Sequence, residues 1–431
     1  MPEKNGDRHF IKEKIVRQPM SRRQIARRIL LTAFCGVLFG VVAGVCFAVS
    51  RPIAERHLGL GETEESQRVT IPKDEPETTA PPAPTTTADS ETESEPVGDV
   101  VQSEIAKYTY EAADVDRIFA GLRSVASEAD QGIVSVHSIQ HQTDWFDNPI
   151  ETTGQHAGVL IAKMGNEGLI LTTEAAIESA DSIEVALADG TVLEGAVKQR
   201  DTVADMAVVS IDLSTLSQEQ RDKLPVIELG NSYSVKQGDL VVAVGSPAGV
   251  IHSTDYGVIS YVVRNVQLVD GVGRVFYTSV NGADREGTFL INLNGQLIGW
   301  VTEAYANAQN SGMAAVAGVS DYKAVLEDLS NGVAPPYFGI RGQEVSREQV
   351  EAGMPAGIYV VESVSDGPAY NAGIQNGDII TSIGEASVAT MKEFQNQLDL
   401  LSSGDRVRVM VQRNGTDMYR ELEFTVEIRG R

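Results

Sequence analysis

The chain has 431 residues, too many for one compact domain, and the usual domain size allows two or three. Its 42% apolar content is ordinary for a globular protein, and its formal charge of −25 argues against a nucleic-acid partner, whose phosphates demand the opposite sign. The charge is uneven: between Met1 and Arg28, nine Lys and Arg stand against Glu3, Asp7 and Glu13, so the rest of the chain is more acidic still.

Residues 1–28 read as a basic cytoplasmic tail. Ile29 to Val49 (ILLTAFCGVLFGVVAGVCFAV) carries no charge and is long enough to cross a hydrocarbon core of about 30 Å at roughly 1.5 Å per residue. The reading is a transmembrane helix. A cleavable leader is the rival, but the run is long for one and no clear small-residue cleavage pattern precedes Arg51. Arg22, Arg23, Arg27 and Arg28 lie directly before the span, so the positive-inside rule leaves the N-terminus cytoplasmic and the later domains outside the plasma membrane. Gly36, Gly40 and Gly44 share one face, a small-xxx-small pattern that suits helix pairing or simply the glycine content of such spans. Both cysteines, Cys35 and Cys46, fall inside this run, so no disulfide framework or cysteine-based metal site is available beyond it.

Residues 50–110 read as an acidic linker rich in Thr, Pro and Glu, with too few large apolar residues to offset its ordering entropy. A first folded unit is expected over 111–332. It opens with an amphipathic helix over Glu111 to Ala129, with Val115, Ile118, Phe119, Leu122 and Val125 at three-and-four spacing. Short alternating strands follow at Ile133–Val136, Val159–Ala162, Leu169–Thr172, Ile183–Leu187, Met206–Ile211, Leu240–Val244, Gly257–Val262 and Leu290–Ile298. Many short strands punctuated by glycine turns indicate a sandwich or a pair of barrels. Phe289 to Val301 reads as a β-hairpin around Asn294-Gly295. Gln140 to Gln155 reads as a polar loop holding Trp145 and Phe146, either partner-contacting aromatics or the loop's own anchor. Asp321 to Leu329 reads as a short closing helix, Pro335-Pro336 marks a boundary, and 335–428 forms a separate unit.

Three segments, LILTTEAAIESADSIEVALADGTVLEGAVKQRDTVADMAVVSID (Leu169 to Asp212), GDLVVAVGSPAGVIHSTDYGVIS (Gly238 to Ser260) and LINLNGQLIGW (Leu290 to Trp300), together resemble the HtrA/DegP family of trypsin-like serine proteases. The resemblance implies a mainly β fold, two six-stranded barrels with the active site between them, followed by a PDZ domain. Acyl transfer on that fold needs a hydroxyl nucleophile, an imidazole, a carboxylate to orient it and amides for the oxyanion. The family's carboxylate falls on Asp205, its histidine on Ala175, its serine on Glu286, and the glycine before the serine on Asp284. None of the six histidines lies between Leu169 and Asp205, where the base must come from. Losing the serine or histidine of such a triad costs roughly a factor of 10⁶ in turnover. The expectation is a pseudoprotease without cofactor or metal, Glu286 being a solvated turn residue rather than half of a new carboxylate pair. The alternative is a serine endopeptidase with a rearranged site.

The second unit resembles that family's PDZ domain. YFGI (Tyr337, Phe338, Gly339, Ile340) stands where the family receives a peptide's terminal carboxylate on successive backbone amides, and Ile340 and Arg341 open the strand that pairs with the ligand. GIYVVESVSDGPAYNAGIQNGDIITSIGEASV (Gly357 to Val388) matches the core, including the Gly377-Asp378 turn. On the helix expected over Ala389 to Leu401, Met391, Phe394 and Leu398 either line the groove or pack the core. The implied partners are peptides or proteins with exposed C-termini. The implied role is scaffolding or regulation of envelope quality control, as a homo-trimer or in mixed assembly with active relatives. A purely structural envelope protein with a closed PDZ groove is a third reading.

Overall fold

The computed structural model describes residues 68–75, 111–143, 149–281, 286–305, 312–415 and 418–431. The basic tail, the apolar span Ile29–Val49, Asp284, and Trp145 with Phe146 lie outside them; among the described residues no helix is long and apolar enough to cross a membrane.

Helix α1 (Ala112–Asp130) opens the described body, with the Asp114 carboxylate accepting from the Glu111 N–H at 2.8 Å. Its apolar face is only half used. Leu122, Ala126 and Ala129 are buried while Val115, Ile118 and Phe119 stay exposed, Phe119 meeting the edge of Tyr256 at 6.4 Å.

The first barrel comprises β1 (Ile133–Thr143), β2 (Pro149–Met164), β3 (Glu167–Thr172), β4 (Ser182–Ala186), β5 (Val192–Asp201) and β6 (Met206–Asp212), closed in the order β1-β2-β3-β6-β5-β4. Alternation sorts its side chains: Val134, Val136, Leu160, Ile170, Val185 and Val209 fill the interior, while Val159, Leu169, Leu171 and Val208 face the second barrel. The expected loop Gln140 to Gln155 is instead largely the two arms of a hairpin, paired from Ile133↔Val159 to Thr143↔Pro149. Its strands are polar on both faces beyond the core, so no burial alternation marks them in the sequence.

A short helix, α2 (Gln218–Lys223), joins the barrels; its N-cap Ser217 accepts from the Gln220 N–H at 3.3 Å. The second barrel comprises β7 (Leu240–Gly245), β8 (Asp255–Leu268), β9 (Gly271–Thr278), β10 (Thr288–Ile291), β11 (Leu297–Val301) and β12 (Ala314–Gly318), closed in the order β10-β11-β12-β9-β8-β7. The hairpin at Asn294-Gly295 is present. The Asn292 side chain caps it, accepting from the N–H groups of Asn294 and Gln296 at 2.9 and 3.0 Å. The closing helix is α3 (Lys323–Ser330), entered through a 3₁₀ turn at Val319–Tyr322.

The second unit begins with β13 (Pro336–Tyr337) and β14 (Ile340–Glu344), followed by α4 (Arg347–Glu351), β15 (Ile358–Ser363), α5 (Pro368–Ala372), β16 (Ile379–Ile383) and β17 (Ala386–Ser387). It ends with α6 (Met391–Leu398), β18 (Arg406–Asn414), β19 (Tyr419–Glu427) and β20 (Arg429–Gly430). The sheet runs β14-β15-β16-β18-β19 with β17 beside β16, and β13 pairs with β20. A half-buried ion pair holds it: Arg413 Nε and Nη2 meet the two Asp378 oxygens at 2.6 and 2.7 Å.

Several contacts tie the units together across the Pro335-Pro336 boundary. Arg431 Nη1 reaches the buried Asp201 of β5 at 3.3 Å, and the β8–β9 turn enters the second unit. Residues 68–75 depart from the expected linker. Val69 N–H donates to Asn331 Oδ1 at 2.9 Å, Ile71 N–H to Glu327 Oε2 at 2.8 Å, and Asp74 pairs with Lys323 at 2.8 Å. Val69 and Ile71 also pack on the core, so this one stretch carries the apolar anchors that an unstructured acidic tract lacks.

Candidate functional site

Two regions carry the candidate residues: the cleft between the barrels and the groove of the second unit. In the cleft, Ala175 sits exposed on a 3₁₀ turn, Glu174–Ala176, that follows β3. Asp205 lies just before β6 with a left-handed φ of 51°, and its Oδ1 accepts from the Glu174 N–H at 3.2 Å. Asp205 is therefore turned toward the Ala175 turn, but its partner is a backbone amide and no ring stands between. Burial raises the Asp205 carboxyl above the ordinary carboxylate range, against the Glu174 amide, with Glu303 and Glu178 pushing the same way.

Glu286 precedes β10, is exposed, and lines the cleft from the second barrel. Burial raises its carboxyl first, and the neighbouring charges of Asp205 and Glu303 add to it. The structure thus brings Ala175, Asp205 and Glu286 together. It adds Glu303, which sequence reasoning missed because it lies on a short turn after β11 with no pattern of its own. A cavity of about 330 Å³ opens here, lined by His156, Thr173, Ser246, Glu286 and Gly287 among others. Ser246 Oγ donates to the Glu286 carbonyl at 2.8 Å, and burial lowers the His156 pKa by disfavouring the charged ring. Among the described residues no serine or threonine hydroxyl is hydrogen-bonded to a histidine; the histidine partners are Gln155 for His137, Asp181 for His141 and Asp130 for His252. No group of three or more His, Cys, Asp or Glu among the described residues could hold a metal ion.

In the second unit the loop Tyr337 to Ile340 turns its amides to one point. Gly339 makes this possible with φ of +87°, and a Cβ there would stand 3.2 Å from the Gly367 Cα and from the Tyr337 ring. The point is occupied by the carboxylate of Asp270, from the β8–β9 turn of the second barrel. Its Oδ1 accepts from Gly339 and Ile340 at 2.8 and 2.9 Å, its Oδ2 from Phe338 and Gly339 at 2.8 and 3.0 Å. Burial pushes the Asp270 carboxyl up, opposed by the Arg431 guanidinium and by the amides of Ile340, Gly339 and Phe338.

Ile340 is buried, and Arg341 reaches back to the Gln267 carbonyl at 3.1 Å. Met391, Phe394 and Leu398 form one buried face of α6 and join the domain core, Phe394 meeting Phe338 edge-on at 5.4 Å. Val272, just past Asp270, packs on the same cluster. The sequence holds one signal for this turn, Asp270-Gly271 between apolar residues, a strong hairpin dipeptide. Nothing local to it says where the turn docks.

Two closed six-stranded barrels facing across a cleft, followed by a small sheet with an amide-lined groove, define a trypsin-like peptidase fold with a PDZ domain. Family models agree, one for a trypsin-like peptidase domain over residues 157–299 and one for a PDZ domain over 336–426. HhoA of Synechocystis sp. is 30% identical over 288 residues, which cover 60% of this chain and 70% of HhoA. HhoB of the same organism is 30% identical over 268 residues, 58% of this chain, and the match spans 62% of HhoB's own length. A solved structure of the HtrA-type protease AlgW with a decapeptide superimposes with a TM-score of 0.51 at 23% identity, covering 72% of this chain and 98% of that one; this likeness is one of fold. The chain belongs to the HtrA family.

Proposed function

We propose that this HtrA-family chain is a pseudoprotease that recognises exposed protein C-termini and scaffolds or regulates protein quality control in the bacterial envelope. Ile29 to Val49 would hold it in the plasma membrane with its N-terminus in the cytoplasm. The observation that carries the first part is the pairing of Asp205 with the Glu174 amide beside Ala175, where catalysis would need an imidazole. The acidic surroundings act in the same direction, because an oxyanion forming near Glu286 would meet carboxylates rather than donors. The extracytoplasmic placement draws on relatives such as the Halomonas elongata protein described as a probable periplasmic DegP-like endoprotease.

The test is cleavage of β-casein by the purified protein beside its Asp205→Ala variant. No turnover above background is expected from either. Turnover that is lost in Asp205→Ala and blocked by a serine-directed inhibitor would sink the reading. A second reading, a rearranged endopeptidase, is favoured by one observation: His156, Thr173 and Ser246 line a single cavity. It requires that Ser246→Ala abolish casein cleavage.

A further inference from the structure

A PDZ groove takes its ligand by two interactions at once: the peptide's terminal carboxylate enters the amide nest, and its last residues add a strand to the sheet edge. The β8–β9 turn supplies both from within the chain. Both oxygens of the Asp270 carboxylate are bound by the three consecutive amides of Phe338, Gly339 and Ile340. The strand component is there as well. The Asp270 N–H donates to the Ile340 carbonyl at 2.7 Å, Val269 bridges antiparallel to Arg341, and the Gln267 side chain donates to Gln343 Oε1 at 3.0 Å.

The opposite wall of the groove is engaged too. Gly271 lies so close to α6 that a Cβ would stand 2.2 Å from Gln395 Nε2, and Val272 packs on the cluster of Phe338, Met391 and Phe394. The turn therefore sits between β14 and α6, and Asp270 is only 1% exposed. An ordinary interdomain contact would need one or two of these features. A carboxylate in the nest, an added strand and a filled cleft are the full set by which a groove holds a ligand.

We propose that the Gln267–Val272 turn is a resident, in-chain ligand of the PDZ groove, and that an incoming protein C-terminus binds by displacing Asp270 from the Phe338–Ile340 amides. This rests on the C-terminus recognition proposed above and adds its control. The two carboxylates need the same three N–H groups, so they exclude each other. A ligand's apparent dissociation constant is then its intrinsic one divided by the fraction of molecules with the turn released.

The test uses full-length protein in detergent and a pool of fluorescein-labelled decapeptides ending in Val, Leu, Ile or Phe, as free acids and as C-terminal amides. Asp270→Ala is expected to bind the free-acid pool at least about 10-fold more tightly than the unchanged protein, with no gain for the amides. Asp270→Asn keeps the side chain's shape and one accepting oxygen, and an intermediate gain is expected. Equal, amide-sensitive binding by all three proteins would overturn displacement while leaving C-terminus recognition standing. No binding of free acids by any of the three, each folded by circular dichroism, would overturn recognition itself, and displacement with it. Hydrogen exchange on the unchanged protein gives a readout free of mutation: a saturating free-acid pool should speed exchange across Gln267–Val272. Binding without that change refutes the proposal.

Discussion

The ion pair beneath the PDZ sheet allows a double-mutant prediction whose size follows from its geometry. Asp378 is 1% exposed and accepts from Arg413 Nε and Nη2 at 2.6 and 2.7 Å and from the Gln375 N–H at 2.9 Å. Arg413 also donates to the Gly373 carbonyl at 2.9 Å and lies 5.5 Å from the Phe424 ring centroid. Removing one member of a fully buried pair costs roughly 3–5 kcal/mol, because the other charge is left uncompensated. The Arg413 side chain keeps 30% of its exposure, so water can solvate part of the orphaned guanidinium. Asp378→Leu should therefore lose about 2–3 kcal/mol after that discount. Arg413→Met should lose a similar amount by stranding the more deeply buried carboxylate. The double variant Asp378→Leu with Arg413→Met removes both charges and should lie within about 1.5 kcal/mol of the unchanged protein. Urea unfolding of the four proteins, followed by far-UV circular dichroism with hydrogen exchange to localise the loss, closes the cycle. Additive losses, the double variant being as unstable as the sum of the singles, would show that the pair is not coupled and refute the reasoning.

Stability should also depend on pH through Asp321, whose carboxyl is raised from 3.8 to about 6 by burial, against the Arg274 amide, the Tyr233 hydroxyl and the Arg274 charge. The folded state holds that proton more tightly than the unfolded one, so the contribution is complete below about pH 4 and is lost as pH rises through 6, on the order of 3 kcal/mol at most. Asp321→Asn should flatten the fall in urea midpoint between pH 4 and 6, with Asp328, also raised to about 6, leaving a residual slope; an unchanged profile would dismiss Asp321. Gly245, with φ of +94°, leaves no room for a side chain, since a Cβ would fall 2.1 Å from the Gly287 carbonyl. Gly245→Ala should destabilise by at least about 2 kcal/mol and loosen the Glu286 turn, and a melting temperature within a degree of the unchanged protein would contradict this. Asn331→Ala removes the bonds that hold Val69 at both its N–H and its carbonyl. Faster hydrogen exchange confined to residues 68–75 is expected, and unchanged protection there would show that Asp74 and Ile71 suffice.

Legibility in the sequence followed unbroken runs of large apolar side chains. β3, β6 and β7 bury nearly every residue and stand out as apolar runs, and the β10–β11 hairpin was marked by Asn294-Gly295. β5, β9 and β12 gave no such mark. β5 is largely exposed on both faces, β9 opens with Gly271 and Gly273, and β12 is built of alanine and glycine around Val316. Ala175, Asp205 and Glu286 were singled out by the resemblance alone, and they converge in the cleft. Met391, Phe394 and Leu398 were readable as one helical face, but whether they line a groove or fill a core depended on Val272, which lies well over a hundred residues earlier in the chain. Asp270 was beyond reach for the same reason. An isolated Asp-Gly dipeptide states that the chain turns, and only the tertiary fold states what the turned carboxylate meets.

The Pro335-Pro336 break that separates the two units in the sequence is bridged in the structure. β8 and β9 are walls of the second barrel, yet their shared tip satisfies three amides of the PDZ loop and covers part of its apolar core. A fragment cut at that break would carry an unfilled nest and a bare Phe338–Phe394 face, while the barrel fragment would keep a carboxylate with nothing to hold it. The contacts that complete the PDZ loop thus extend past the boundary drawn by composition, and either half alone would display different chemistry.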